Sequence, residues 1–210
     1  DGSNLLFSYF TASQTTSTPW AQDLPVLPTT GPYTVYIYPY QTLTASMTTT
    51  FSGQVLVSSD VAATLATNGT TTAVNLPQPG QQARVTFNAT AGQDWLLDIS
   101  GLTMSAGGQY LGYQITRADG QLVTSGNCYL SNGYDCDKPI YGLTAGTHTI
   151  VFTPQPAGAT ASFNLRSWAS SRVTGALTIG TANTYTSTVP GQMVVKTFNG
   201  TAGQQLGLSL

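Results

Sequence analysis

PGQQARVTFNATAGQ at residues 79–93 returns as PGQMVVKTFNGTAGQ at residues 190–204, with ten of fifteen positions identical at an offset of 111 residues. A second pair, TTGPYTVYIYP at residues 29–39 and TAGTHTIVFTP at residues 144–154, recurs at an offset of 115. The repeating unit is therefore the size of one domain. In register, the copies predict three segments: the late part of a unit at 1–60, a complete unit at 61–172 and the early part of the next at 173–210. The expectation is an excerpt of a longer array, or a subunit completed by its neighbours.

Working outward, apolar residues alternate rather than recur at helical spacing. Trp95, Leu97 and Ile99 share one strand face, and Leu206, Leu208 and Leu210 repeat the pattern. Val35 with Ile37, and Ile150 with Phe152, do the same in a later strand. Punctuation comes from Pro79-Gly80 and Pro190-Gly191, from Ala91-Gly92 and Ala202-Gly203, and from Asp119-Gly120. The polar stretches at 57–60 and 169–172 precede VAATL and VTGAL and read as unit boundaries. Many short strands at this spacing predict an all-β chain of tandem jelly-roll-like β-sandwich units. No long helix is expected.

Composition agrees. Only 7% of residues are charged, Glu is absent and Thr supplies about one residue in six, which favours strands and turns. An apolar fraction of 40% suffices for a core, so low charge does not signal disorder. A net charge of −2 with six scattered basic residues offers no stripe for a phosphate backbone, so no nucleic acid partner is expected. No membrane span is expected in this segment, because no run approaches the ~20 apolar residues a span requires. Cys128 and Cys136 flank the turn-rich YLSNGYD, whose Ser-Asn-Gly centre suits a hairpin-like loop. They read as a disulfide, which places the chain outside the cell or on its surface.

These residues carry a family resemblance. PGQQARVTFNATAGQDWLLDISGLTM, followed by ITRADGQLVTSG and LTAGTHTIVFTP, resembles the repeats of large secreted bacterial proteins related to pre-peptidase C-terminal (PPC-like) domains. Its marks are the Pro-Gly-Gln start, the Phe-x-x-Thr-Ala-Gly-Gln segment, the Asp-Gly turn and the Gly-Thr-x-Thr strand, across essentially the whole chain. The resemblance implies a jelly-roll-like sandwich in an extracellular architecture, and no catalysis. The copies differ where Val85 in one becomes Lys196 in the other.

Chemistry-bearing constellations are sparse. His148 is the sole histidine and falls where the earlier copy has Tyr33; with no adjacent acid it reads as a surface strand residue rather than a base. Without Glu, a glycosidase would need two of the eight Asp residues, and most of those lie in turn contexts. No enzyme is expected. Asp135 and Asp137 flank Cys136 and, with Asp119, form a candidate calcium set; a solvated turn is the simpler reading, because calcium takes six to eight oxygens. No other metal or cofactor is expected. Asn68, Asn88 and Asn199 open Asn-x-Thr sequons and are candidate glycosylation positions.

The sharper signal is PYTVYIYPY. If Val35 and Ile37 point inward, Tyr36, Tyr38 and Tyr40 line the opposite face, where the other copy holds Val151, Thr153 and Gln155. An aromatic row present in one copy alone is not needed to build the fold. It is a candidate interface or ligand face, beside ordinary strand preference for Tyr. Two functions follow. One is a non-catalytic structural protein, a segment or subunit of a bacterial surface fibre, stalk or sheath, joined end to end by self-association or by continuation of the same polypeptide. The other is an adhesive or carbohydrate-binding module, contacting extracellular polysaccharide through the tyrosines or the loops near Trp20 and the disulfide.

Overall fold

A computed structural model describes residues 27–35, 54–55, 57–105, 108–130 and 136–209. Among these residues, nine strands build two facing sheets between residues 61 and 170. The first sheet holds β1 (Val61–Thr64), β3 (Ala83–Ala89), β8 (Gly146–Gln155), β5 (Tyr110–Arg117) and β6 (Leu122–Tyr129), in that order. The second holds β2 (Thr72–Leu76), β9 (Ala161–Ser170), β4 (Gln93–Met104) and β7 (Cys136–Leu143). Only β1 with β3 is parallel in these two sheets. Farther along, β10 (Val173–Ala176) and β11 (Val194–Thr197) form a separate parallel pair. The protein is an all-β sandwich.

Strand alternation explains the layering. In β3 the odd-numbered residues Val85 and Phe87 point inward, and in β8 the even-numbered Ile150 and Phe152 do. Trp95, Leu97, Ile99, Phe163 and Leu165 face them from the second sheet, and all join one core cluster. Aromatic rings bridge the layers: Phe87 stacks on Trp95 with centroids 3.7 Å apart, and Phe152 meets Phe163 at 5.1 Å.

The same parity corrects the histidine reading. His148 shares its face with Ile150 and Phe152, so it is buried rather than on the surface, 1% exposed and stacked on Phe87 at 5.1 Å. Its Nδ1 donates to the Gly146 carbonyl at 3.1 Å. The stretch at 169–172 is not wholly turn, because Ala169 and Ser170 close β9. Residues 27–35 form no strand, and Val35 is 61% exposed instead of pointing into a core; Ile37 lies outside the described residues.

Candidate interaction surface

The repeated sequence builds repeated structure. The Val61 N–H donates to the Gln82 carbonyl at 2.8 Å, and the Val173 N–H donates to the Met193 carbonyl at 2.9 Å. Leu65 N donates to Thr86 O, as Leu177 N does to Thr197 O. The glutamine after each Pro-Gly turn ties that turn to the incoming chain: Gln81 Nε2 reaches Ser59 O at 3.0 Å, and Gln192 Nε2 reaches Ser171 O at 2.8 Å. Gly80 and Gly191 take φ of 78° and 71°, a region that side chains with a Cβ rarely adopt. The Thr90 and Thr201 N–H groups each donate to the glutamine three residues on, both at 3.0 Å.

What differs between the copies is cover. Phe87 is 1% exposed, whereas its counterpart Phe198 is 50% exposed. Trp95 and Leu97 are fully buried, and their counterparts Leu206 and Leu208 stand 49% and 77% exposed. Residues 205–209 form no strand: β4 is held between β9 and β7, and among the described residues nothing flanks the second copy of its sequence. The alternation expected for Leu206 and Leu208 therefore produces no buried face, and Leu210 lies outside the described residues. Likewise β3 lies between β1 and β8, but among the described residues β11 pairs with β10 alone.

Lys196 keeps the register of Val85, four residues in step with β10. Its ammonium donates to Thr174 O at 2.9 Å and lies 4.3 Å from the ring centre of Tyr185. Tyr185 stands 111 residues after Val74, a core residue. Two apolar core positions are thus exchanged together for a cation and an aromatic face.

A polar clasp holds this second copy to the sandwich. Asp94, on the outer face of β4, is fully buried: it accepts from Arg172 Nε at 2.9 Å, from Arg172 Nη2 at 3.1 Å and from the Gly142 N–H at 2.8 Å. Burial pushes its carboxyl up, but the Arg172 hydrogen bond, the Gly142 N–H and the Arg172 charge outweigh this and hold it below its ordinary value. Arg172 is raised in turn, chiefly by that hydrogen bond. Two residues along β4, Leu96 sits against Gly191: a Cβ placed on that glycine would stand 2.5 Å from Leu96 Cβ. Asp98 completes the row by accepting from Arg166 Nε at 2.7 Å. Sequence reasoning passed over this row; its signal was two aspartates in the otherwise apolar strand DWLLDI.

The residues singled out from sequence fare unevenly. Cys128 and Cys136 are bonded, with Cα atoms 5.8 Å apart. They do not flank a hairpin, because β6 and β7 are edge strands of different sheets, so the disulfide staples the sandwich together at one edge. Tyr36, Tyr38, Tyr40, Trp20 and Asp135 lie outside the described residues. Their counterparts Val151, Thr153 and Gln155 are half-buried on the outer face of the first sheet. Of the candidate calcium set, the described Asp119 and Asp137 do not share a loop end. Asp119 lies in the β5–β6 turn, where it accepts from the Gln121 N–H at 3.0 Å, while Asp137 sits opposite Asp98 in the second sheet. Strand β6 intervenes, eight residues that span roughly 25 Å at ~3.3 Å per residue. Among the described residues no group of three or more His, Cys, Asp or Glu is placed to hold a metal, and no helix is long and apolar enough to cross a membrane. Asn68, Asn88 and Asn199 are exposed; Asn68 Oδ1 accepts from Thr70, and Asn88 Oδ1 from Thr147.

No protein-family model matches the chain, and no curated protein matches it. Among solved structures it is similar to the pre-peptidase C-terminal domain of a collagenase from Bacillus anthracis, at 12% identity and a TM-score of 0.39, covering 54% of this chain and 99% of that one. It is also similar to PliG of Aeromonas hydrophila, a periplasmic inhibitor of g-type lysozyme, at 11% identity and a TM-score of 0.37, covering 53% and 100%. The first belongs to the family that the sequence motifs resemble.

Proposed function

We propose that this is a non-catalytic extracellular structural protein, a segment or subunit of a bacterial surface fibre, stalk or sheath built from β-sandwich units set end to end. In this reading residues 1–60, 61–172 and 173–210 belong to three successive units. One observation carries it: the opening of the sandwich is built twice, and in the second copy Phe198, Leu206 and Leu208 occupy core positions yet stand exposed. Exposed core positions just beyond a strand pair that is already formed are a surface for further protein. The clasp of Arg172 on Asp94 and of Gly191 on Leu96 supports a fixed angle between successive units, as a stalk needs. Few surface charges oppose close approach of copies, and the disulfide suits an oxidising compartment.

Electron microscopy of native, unheated material tests this. Continuous filaments with an axial repeat of whole sandwich units are expected; discrete particles at all concentrations sink the proposal.

A second reading, an adhesive or carbohydrate-binding module, is favoured by an open groove of about 510 Å³ on the outer face of the first sheet. Gln82, Arg84, Gln114, Asn127 and Thr153 line it with hydrogen-bonding groups over the low floor of Gly112. Binding of soluble glycans that is lost in Arg84→Ala, with no filaments present, would favour this reading over the first.

A further inference from the structure

Resting on the fibre reading, we infer that the free edge running from the end of β11 through Gly200 is the docking site for the segment around Gly31–Val35 of a second copy of this chain, added antiparallel in the register that β8 keeps on β3.

The donor and the acceptor each have a paired counterpart within the same molecule. Residues 29–39 match residues 144–154, which contribute most of β8, and β11 matches the first four residues of β3. In the sandwich these counterparts are neighbours, with Val85 opposite Ile150, Phe87 opposite His148 and Ala89 opposite Gly146. Carrying that register across the repeat sets Lys196 opposite Val35, Phe198 opposite Tyr33 and Gly200 opposite Gly31. The new interface continues one already built, and the stacked Phe87–His148 pair becomes a Phe198–Tyr33 pair.

Neither half has such a partner among the described residues. Among the described residues β11 pairs on one side only, and residues 27–35 join no sheet. Tyr33 is exposed and its phenol turns back to donate to the Thr29 carbonyl at 2.6 Å. Charge permits the union: residues 29–39 carry no charged side chain, and the acceptor's one cation, Lys196, is already engaged by Thr174 O and the Tyr185 ring. Pro32 would fall at the entry of the added strand, where a missing N–H is tolerated. Because donor and acceptor are different surfaces of one chain, the contact is head to tail and repeats without closing, which yields a filament rather than a dimer.

The test is register-specific cross-linking of the 210-residue chain. The two native cysteines are bonded to each other, so introduced thiols are the free ones. Val35→Cys chains carrying a size tag are mixed with untagged Lys196→Cys chains and oxidised. Both positions are solvent-accessible, so neither variant threatens the core, and sedimentation of the unaltered chain across concentration runs in parallel. The expected result is a tagged–untagged cross-linked dimer, severalfold more abundant than with Thr34→Cys, which faces the other way and is one residue out of register. Assemblies that sediment but show no Val35–Lys196 preference overturn this inference and leave the fibre reading standing. A doubly substituted chain that cross-links within itself while remaining monomeric overturns the second copy as occupant. A monomer with no cross-link of either kind overturns the inference together with the reading of the chain as a self-assembling subunit.

Discussion

Phe87 and Phe198 occupy the same place in the same TFN motif, yet truncating them should have different consequences. Phe87 is 1% exposed, between Trp95 and His148, with centroids 3.7 Å and 5.1 Å away. A phenylalanine buries on the order of 150 Å² or more, so at ~25 cal/mol per Å² its transfer contribution is about 4 kcal/mol. Removing it also leaves a cavity in a close-packed layer, and measured Phe→Ala costs of roughly 3–5 kcal/mol set the expected scale for Phe87→Ala. Phe198 is 50% exposed, which halves the transfer contribution to about 2 kcal/mol at most, and water enters the vacated space. Its loss also falls on the β10–β11 pair rather than on the sandwich. Guanidinium unfolding followed by tryptophan fluorescence separates the two, because Trp95 stacks on Phe87 inside the sandwich core. With a slope of roughly 2–6 kcal/mol/M, Phe87→Ala should lower the midpoint by about 1 M, whereas Phe198→Ala should leave it in place. Equal shifts for the two variants would refute the claim that the second copy's core positions are open.

Three further outcomes follow from the geometry. Replacing Cys128 and Cys136 by Ser should cost about 2–3 kcal/mol in the same denaturation assay, because the bond closes a short loop and joins the two sheets at one edge. Gly191→Ala places a methyl against Leu96 on a backbone with φ of 71°, so limited proteolysis should cut after Arg172 far faster while the sandwich midpoint holds; unchanged cleavage argues against the clasp. Asp94 titrates below its ordinary value of 3.8, so its contribution is complete above that pH and is lost as pH falls through the lower, folded value. Stability measured from pH 5 downward should therefore decline below about pH 4, and Asp94→Asn should flatten that decline while lowering stability at pH 7.

Much of the sandwich could be read from local pattern. Alternation along Trp95, Leu97 and Ile99 specified which face is buried, because in a strand a side chain's face depends only on parity. Parity misled at His148 only because the polar residue was assigned outward against its own phase with Ile150 and Phe152. The disulfide was legible from spacing and its topological role was not, since a separation of eight positions fits a hairpin or a crossing between sheets equally well. The clasp was hidden for a different reason. Asp94 and Arg172 are 78 residues apart, and nothing local marks an outward-facing aspartate as the anchor for an arginine beyond the last strand of the sandwich.

The sequence by itself determined the all-β character, the repeat and its register, the turns at the paired Pro-Gly and Ala-Gly sites, and the inward faces carrying Trp95, Leu97, Ile99, Ile150 and Phe152. These depend on parity, backbone freedom and composition, which act over a few residues. Tertiary structure alone decided which strands neighbour one another, where the disulfide and the buried ion pairs lie, and which copy of a core motif is covered. TFN at Phe87 and TFN at Phe198 are the same letters; one is sealed because β8 and the second sheet lie over it, and burial is a property of neighbours rather than of the strand that seeks it.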